Sequence, residues 1–313
     1  MRKQAPVTIL TGYLGAGKTT LLNRLVEAYP EKKFAVIENE FGDEGIDGEL
    51  VKAEKGGLYE LSNGCVCCDL SSDLVKALGD LMLSDFEYGH VLIEATGVAD
   101  PAGIVATVST ETHISEFFKI DGVLALVDAE AFDLQLLNDP VAGRQVAFAD
   151  FVLMNKCADV PAERLESLEK ELKEMSPGAG LRRTDFARDV EGLLSLGSGK
   201  SRRLTDFLTE NSGGHTNARS FSVVLDGSFN PTKLHYWLSG VLAFNDGLYR
   251  IKGVLDLAGS DRKAVLQSVM VKYSLVGGGM WKPEEKKTSK VVFIGRELDK
   301  EKLVEGLKSC MSD

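Results

Sequence analysis

Short apolar runs alternate with amphipathic stretches as far as about Lys200. The runs read "VTILTG", "FAVIEN", "HVLIEATG", "GVLALVDA" and "FVLMNK". Near-continuous apolar strands separated by helical segments are typical of a parallel sheet that is covered on both faces. Between the runs, "TTLLNRLVEAY" has a helical apolar stripe, and "PAERLESLEKELKEM" starts with Pro161, where proline suits a helix. The pattern predicts an α/β domain with a mainly parallel sheet.

The pattern changes after "TENSGGHTNARS", a polar and glycine-bearing stretch that is typical of a linker. The later runs "SFSVVLDG", "YRIKGVLDLAG", "AVLQSVMVKYSL" and "KVVFIGREL" alternate or are β-branched, which indicates antiparallel strands. Helices are expected at "PTKLHYWLSGVLA" and "DKEKLVEGLKSC". We therefore predict an α/β domain over residues 1–208, a linker over 209–217 and a smaller α+β domain over 218–313.

Composition narrows the classes of partner. The chain of 313 residues has a formal net charge of -11, which argues against nucleic-acid binding because that requires a basic face. Its Lys and Arg residues are scattered, and no apolar run approaches the roughly 20 residues of a membrane span. The N-terminal run leads into a glycine-rich loop without a cleavage-like site, so we expect a cytoplasmic protein with no membrane partner.

A phosphate-binding loop follows the first predicted strand. "GYLGAGKT" has the spacing Gly-x-x-x-x-Gly-Lys-Thr and opens a predicted helix, which is the context this motif requires. Backbone N–H groups and the helix N-terminus suit a β-phosphate, Lys18 can reach the β- and γ-oxygens, and the Thr19 hydroxyl can ligate Mg²⁺. Nucleotide contacts are expected from Gly12, Gly15, Ala16, Gly17, Lys18, Thr19 and Thr20.

Two further strand ends supply candidates for hydrolysis and for base recognition. Glu94 follows an apolar strand and could bind the metal through water or orient the attacking water, while Gly97 could offer its N–H to a γ-phosphate. Asn155 and Lys156 resemble the start of the guanine-binding motif Asn-Lys-x-Asp. Its fourth position holds an alanine, and Asp159 comes one residue late. Either Asp159 reaches the base across this insertion, or base specificity is relaxed and adenine is accepted.

Three of the five cysteines lie within four positions of "LSNGCVCCDL", as Cys65, Cys67 and Cys68. Thiolates are soft donors that suit zinc and related metals, and three of them leave a fourth position open for exchange. Clustered thiols in the reducing cytosol indicate metal or redox chemistry rather than a disulfide framework. A redox switch is the competing reading, but adjacent cysteines make strained disulfides. Cys157 and Cys310 stand alone, and we expect them to be small packing residues.

An acidic, glycine-bearing loop, "ENEFGDEGIDGEL", lies between the phosphate loop and the thiols. Loops in this position of P-loop proteins respond to the γ-phosphate. A solvated acidic loop is the plain alternative. We predict that Glu40 links the nucleotide state to the geometry of the thiol site, which makes it a candidate for the catalytic group together with Lys18 and Glu94.

In their order along the chain, "TGYLGAGKTT", "ENEFGDEGID", "LSNGCVCC", "IEATGVADP" and "MNK" resemble the CobW family of P-loop GTPase metallochaperones. "VLQSVMVKYSL" and "VFIGREL" are similar to the family's C-terminal domain. The resemblance implies a G domain of the SIMIBI type, GTP binding and slow hydrolysis. It also implies Mg²⁺ at Thr19 and a transferable metal at Cys65, Cys67 and Cys68.

The resemblance further implies a client metalloprotein that receives the metal, with GTP and GDP as ligands. Zinc is expected because it is the commonest metal at tetrahedral thiolate sites, and Co²⁺ is an alternative. The C-terminal domain would engage the client or form a homodimer. Two other functions stay open from the residues themselves. They are a nucleotide-locked metal sensor or buffer without productive turnover, and a redox-regulated NTPase.

Overall fold

The computed structural model describes residues 4–38, 51–55, 58–62, 70–194, 219–245, 247–269, 272–281, 284–295 and 298–312. Glu40, the three clustered cysteines and the predicted linker lie outside the described residues. The chain divides into two compact units, one comprising Met1–Leu172 with Gly180–Ser198 and the other Lys173–Ala179 with Gly199–Asp313.

The first unit contains a sheet with eight strands in its described part. They are β1 (Ala5–Gly12), β2 (Phe34–Glu38), β3 (Val51–Lys55), β4 (Leu58–Ser62), β5 (His90–Glu94), β6 (Phe118–Asp128), β7 (Phe151–Asn155) and β8 (Gly180–Arg183). Their order across the sheet is β3-β4-β2-β5-β1-β6-β7-β8. Only the β3–β4 pair is antiparallel among these pairings. The carboxyl ends of β1, β5, β6 and β7 therefore meet at one edge of the sheet.

Helices connect these parallel strands. They are α1 (Lys18–Ala28), α2 (Leu70–Leu83), α3 (Pro101–Thr110), α4 (Thr112–Ser115), α5 (Phe132–Asn138), α6 (Pro140–Ala147) and α7 (Ala162–Met175). Both α3 and α6 begin with a proline directly after an aspartate cap, Asp100 and Asp139, whose carboxylates accept backbone N–H groups. Proline at the first helical position lacks only an N–H that would have no helical partner. These caps fix where each helix leaves the sheet edge.

The core of the first unit lies between the sheet and α1. Leu21, Leu22 and Leu25 on the inner face of α1 pack with Leu10 of β1 and Leu153 of β7, and all are 2% exposed or less. Residues that follow β8 complete this cluster. Burial of such large side chains contributes roughly 1.5–3 kcal/mol each, so this cluster holds α1 and the loop before it firmly on the sheet.

The second unit contains a five-stranded sheet in the described part of the chain. Its strands are β9 (Arg219–Asp226), β10 (Leu248–Asp256), β11 (Arg262–Val269), β12 (Lys272–Met280) and β13 (Thr288–Gly295). The order is β12-β11-β10-β13-β9, and every neighbouring pair is antiparallel. The helices α8 (Pro231–Ala243) and α9 (Lys300–Lys308) contribute leucines to its core.

A close approach between α9 and α8 depends on a glycine. A Cβ atom added at Gly306 would fall well inside contact distance of the Trp237 indole nitrogen. The Trp237 ring also meets the Phe293 ring edge to face, with centroids 6.3 Å apart. The indole therefore fills the space between α9 and the sheet, and Gly306 leaves room for it.

The predicted fold class is confirmed, with an α/β unit built on parallel strands and an antiparallel α+β unit after it. One expected run is divided, since "AVLQSVMVKYSL" contributes to two paired strands, β11 and β12. Both strands are rich in β-branched and apolar residues, and few residues separate them. The sequence pattern therefore looks like that of one continuous strand. Among the described helices, none is long and apolar enough to cross a bilayer.

Candidate nucleotide-binding site

The phosphate loop joins β1 to α1. Gly15 and Gly17 adopt φ values of 78° and 103°, in the left-handed region that glycine tolerates best. A Cβ atom at Gly17 would lie 2.9 Å from the Asn155 side-chain nitrogen, so this position needs glycine for space as well. Gly17 caps the helix that begins at Lys18, and the exposed Thr20 occupies the first turn. The loop thus presents the helix N-terminus to a bound anion.

Lys18 is the cation of the loop. It is only 8% exposed, and its Nζ lies 3.4 Å from the Tyr13 carbonyl oxygen. Burial lowers the pKa of the Lys18 ammonium, and the nearby Glu94 carboxylate acts in the opposite direction. A desolvated cation interacts more strongly with phosphate oxygens than one in water does, because the local dielectric constant is lower.

Thr19 and Glu94 are in direct contact. The Thr19 hydroxyl donates a hydrogen bond of 3.0 Å to Glu94 Oε1, which joins the first turn of α1 to the end of β5. A hydroxyl and a carboxylate are oxygen donors of the kind that Mg²⁺ prefers. The donor set at this point therefore fits a magnesium ion accompanying a nucleotide.

Gly97 lies directly against the phosphate loop. A Cβ atom at this position would be 2.7 Å from the Leu14 backbone nitrogen and 2.5 Å from its side chain. The segment around Gly97 is held from the other side by Gln145 of α6, whose amide nitrogen donates to the Gly97 and Ala99 carbonyls at 3.1 Å each. Gln145 is 1% exposed, and no motif or spacing in the sequence indicates its role.

The segment also carries an ion pair. Asp100, the cap of α3, accepts a charge-assisted hydrogen bond of 2.7 Å from Arg144 Nε of α6. Arg144 and its neighbour Gln145 thereby fix both ends of the Gly97–Asp100 segment. The "GVADP" that follows Glu94 shows the cap and proline in sequence, but its partners lie far along the chain and no local signal indicates them.

The strand ends at β6 and β7 form the side of the site that the sequence predicts for the base. Asn155 is 3% exposed, and its Nδ2 donates to the Ala16 carbonyl at 2.9 Å. Lys156 Nζ forms an ion pair of 2.6 Å with Asp128 at the end of β6. The motifs in the sequence do not indicate Asp128. Its position as a carboxylate at the end of a buried strand is the one local feature that could have identified it. Asp159 is exposed in the turn after Lys156.

The structure therefore brings most of the predicted nucleotide residues to one sheet edge. Gly12, Gly15, Ala16, Gly17, Lys18 and Thr19 lie there with Glu94, Gly97, Asn155 and Lys156.

In the described ranges there is no group of three or more His, Cys, Asp or Glu side chains arranged for a metal ion. Cys157 is partly buried and Cys310 is buried, and burial raises the pKa of both thiols.

A glycine loop with a buried lysine, a threonine beside a strand-end carboxylate and a parallel sheet define a P-loop nucleotide-binding protein. The profile described as "CobW/HypB/UreG, nucleotide-binding domain" matches residues 6–182, and that of the cobalamin synthesis protein CobW C-terminal domain matches residues 218–311. The chain belongs to the CobW/HypB/UreG family, and the resemblance seen in its motifs is confirmed.

Several relatives match over nearly the whole chain. The zinc chaperone YjiA of Escherichia coli is 33% identical over 310 residues, covering 95% of this chain and 96% of the relative. The zinc-regulated GTPase metalloprotein activator 1 of Saccharomyces cerevisiae is 28% identical, covering 99% and 84%. A crystal structure of Zn(II)-bound YjiA GTPase from E. coli has 28% identity and a TM-score of 0.75, covering 99% and 100%.

Proposed function

We propose that this protein is a GTP-hydrolysing zinc metallochaperone. The observation that carries the nucleotide part is the 3.0 Å hydrogen bond between Thr19 and Glu94, beside the buried Lys18. The zinc part is supported by relatives that are named zinc chaperones and match nearly the full chain. We propose further that residues 1–208 and 218–313 act as separate domains joined by a linker.

Each nucleotide-binding group has a defined task in this proposal. Backbone N–H groups from Gly12 to Thr20 hold the phosphates, with Lys18 between the β- and γ-phosphates. Thr19 holds Mg²⁺, which neutralises phosphate charge when bound. Glu94 orients the attacking water or contacts the ion through water, and the Gly97 N–H faces the γ-phosphate. Asn155 and Lys156 belong to the base side of the site, and the sequence offers Asp159 as one candidate for the carboxylate that recognises the base.

Zinc is the cargo in this proposal. Cys65, Cys67 and Cys68 bind it as thiolates, and Glu40 transmits the state of the γ-phosphate to them. Hydrolysis then loosens the thiol site and releases zinc to a client metalloprotein. The reducing cytosol, where we place the protein, would keep these cysteines available as ligands. By linkage, GTP and zinc must raise each other's affinity by the same factor.

The test measures zinc affinity in two nucleotide states. Reduced protein is titrated with zinc against a competing chelator, with Mg²⁺ and either a non-hydrolysable GTP analogue or GDP. We expect the analogue to tighten zinc binding about 5- to 150-fold. Cys67→Ser should weaken zinc binding in both states, whereas the matched control Cys157→Ser should leave it unchanged. Equal zinc affinity with the analogue and with GDP would favour a metal sensor or buffer over a chaperone.

Hydrolysis is tested separately. Glu94→Gln keeps a side chain that can accept the Thr19 hydrogen bond but removes the charge. We expect it to bind GTP and to hydrolyse it at least about tenfold more slowly. Glu130→Gln, an exposed change on the same sheet edge, serves as the control.

Thiol counting in air and under reductant separates the redox-regulated alternative, which requires a disulfide to form among the clustered cysteines.

A further inference from the structure

The backbone at the fourth position of the Asn-Lys-x-Asp spacing meets a carboxylate from elsewhere in the chain. This position holds Ala158, and its N–H donates a hydrogen bond of 3.0 Å to Asp185 Oδ1. Asp185 follows β8 and is 27 residues away along the chain. A carboxylate therefore lies beside the position where the motif requires one, although a different residue supplies it.

The segment that carries Asp185 is fixed at two points. The Ala187 N–H donates to Asn155 Oδ1 at 3.3 Å, and the Thr184 N–H donates to the Met154 carbonyl at 2.8 Å. Asn155 is the first residue of the same motif, and it also holds the phosphate loop. The segment from Thr184 to Arg188 is thus held by β7 and by Asn155, which also contacts the phosphate loop.

Backbone strain is concentrated at the same place. In the part of the chain that the structure describes, three non-glycine residues have positive φ, namely Lys156 at 59°, Phe186 at 53° and Ala187 at 49°. Such conformations cost about 1–3 kcal/mol each and persist where the surroundings impose them, often at ligand sites. Lys156 is next to Asn155, and Phe186 is next to Ala187. All three strained residues therefore lie at or beside the hydrogen bond between Ala187 and Asn155.

An aromatic ring is exposed next to the carboxylate. Phe186 is 65% exposed, and the Arg188 guanidinium carbon lies 5.3 Å from its ring centroid. An exposed phenylalanine in a strained turn gains little from burial. Stacking against a planar base is a use for such a ring that does not depend on which base is present.

We propose that Asp185 supplies the carboxylate that recognises the guanine ring, and that Phe186 stacks on it. This inference rests on the proposed GTP binding and names the residues that make it specific. Guanine presents two adjacent donors, its N1–H and its 2-amino group, and one carboxylate can accept from both. Each carboxylate oxygen has two lone pairs, so the bond from Ala158 leaves Oδ1 able to accept again. Asp159 then has no role in base recognition.

The test changes the side chain at position 185 from a pure acceptor to one that both accepts and donates, instead of removing its hydrogen bonds. Asp185→Asn retains an oxygen for the Ala158 N–H and for the base N1–H, but it replaces the other oxygen with a donor. Xanthine has a carbonyl where guanine has the 2-amino group, so the amide should complement it. Full-length protein with Mg²⁺ is titrated with GDP, xanthosine diphosphate and ADP by displacement of a fluorescent nucleotide. Asp159→Asn is the competing variant, because the alternative assignment gives the base carboxylate to Asp159.

We expect Asp185→Asn to lose about 10- to 100-fold in GDP affinity and to gain affinity for xanthosine diphosphate, with an unchanged melting temperature. Asp159→Asn should bind GDP as the natural sequence does. Phe186→Leu should weaken GDP and xanthosine diphosphate binding alike, by about tenfold. Unchanged GDP affinity in Phe186→Leu would overturn the stacking role.

The outcomes separate this inference from the proposed function. If the natural protein prefers GDP over ADP and Asp159→Asn, rather than Asp185→Asn, switches the preference to xanthine, the inference is wrong and GTP binding stands. The inference is equally wrong if neither variant changes the preference. If the natural protein shows no preference for GDP over ADP, the guanine part of the proposed function fails, and the inference fails with it.

Discussion

Asn155 Nδ2 donates a hydrogen bond of 2.9 Å to the backbone carbonyl of Ala16, so the last residue of β7 holds the phosphate loop. Its Oδ1 accepts from Ala187 at 3.3 Å. One buried carboxamide therefore joins the phosphate loop to the segment after β8. Because both of its ends are used within the protein, Asn155 acts on a nucleotide by positioning the loops around it.

Asn155→Ala should weaken nucleotide binding and destabilise the first unit. The change leaves the carbonyl of Ala16 and the N–H of Ala187 without this partner, and each unsatisfied buried group costs about 1–3 kcal/mol. We expect a lower melting temperature and a higher dissociation constant for GDP, measured by calorimetry on the same preparation. Asn138→Ala, at an exposed helix end, should change neither value.

Gly97→Ala should impair the phosphate loop even toward GDP, which has no γ-phosphate for the Gly97 N–H to meet. The new Cβ atom would come within 2.7 Å of the Leu14 backbone nitrogen, so one of the two segments must move. We expect GDP affinity to fall at least about tenfold, as read from nucleotide displacement. Gly103→Ala on α3 has open space around it and should leave binding unaltered. Equal affinities in the two variants would show that the segments move apart freely.

His90 should make stability depend on pH. Its ring is 2% exposed and hydrogen-bonded to the Thr8 hydroxyl at 2.8 Å. Burial lowers the pKa of His90 to about 4. The charge of Asp121 acts to raise this pKa, and the charge of Lys32 lowers it further. An unfolded histidine titrates near 6.5, so between about pH 6.5 and 4 unfolding takes up a proton. The free energy of unfolding should therefore fall with decreasing pH, by up to about 3 kcal/mol.

Denaturant unfolding at pH 7.5, 6.0 and 5.0 measures this dependence. His90→Gln keeps a hydrogen-bonding side chain that does not titrate, and it should reduce the fall in this window. His113→Gln, at an exposed position, should retain the full dependence. The same fall in His90→Gln as in the natural sequence would assign the effect to other groups.

Gly306→Ala should destabilise the second unit, because its Cβ atom would overlap the Trp237 ring. Overpacking of this kind costs about 1–3 kcal/mol when a bulky ring has to shift. Gly240→Ala on α8 has no atom in its way and should raise helix stability by up to about 1 kcal/mol. Calorimetric melting of the two variants should thus give shifts of opposite sign.

The residues of the phosphate loop and Glu94 could be predicted from the sequence because the patterns that indicate them are local. The phosphate loop needs glycines, a lysine and a threonine at fixed spacing, and the apolar run before Glu94 ends at the same sheet edge. Parallel strands in one sheet then place these groups together, whichever helices connect them. The confirmed family membership follows from the same contiguous motifs.

The supporting contacts could not be read in this way. Gln145, Asp128 and Asp185 act on segments that are 48, 28 and 27 residues away in the chain. Their side chains carry no spacing rule, and each is an ordinary polar residue in its own stretch. The division of one apolar run into β11 and β12 failed for a related reason, since strand periodicity continues across a hairpin with so few residues between its strands.

Both tryptophans of the chain, Trp237 and Trp281, belong to the second unit, and Trp237 packs beneath Gly306. The intrinsic tryptophan emission of the whole protein consequently comes from the unit that lacks the phosphate loop. A spectral change on adding GTP would therefore show that the second unit responds to nucleotide. The protein thus carries its own optical reporter of the environment inside its second unit.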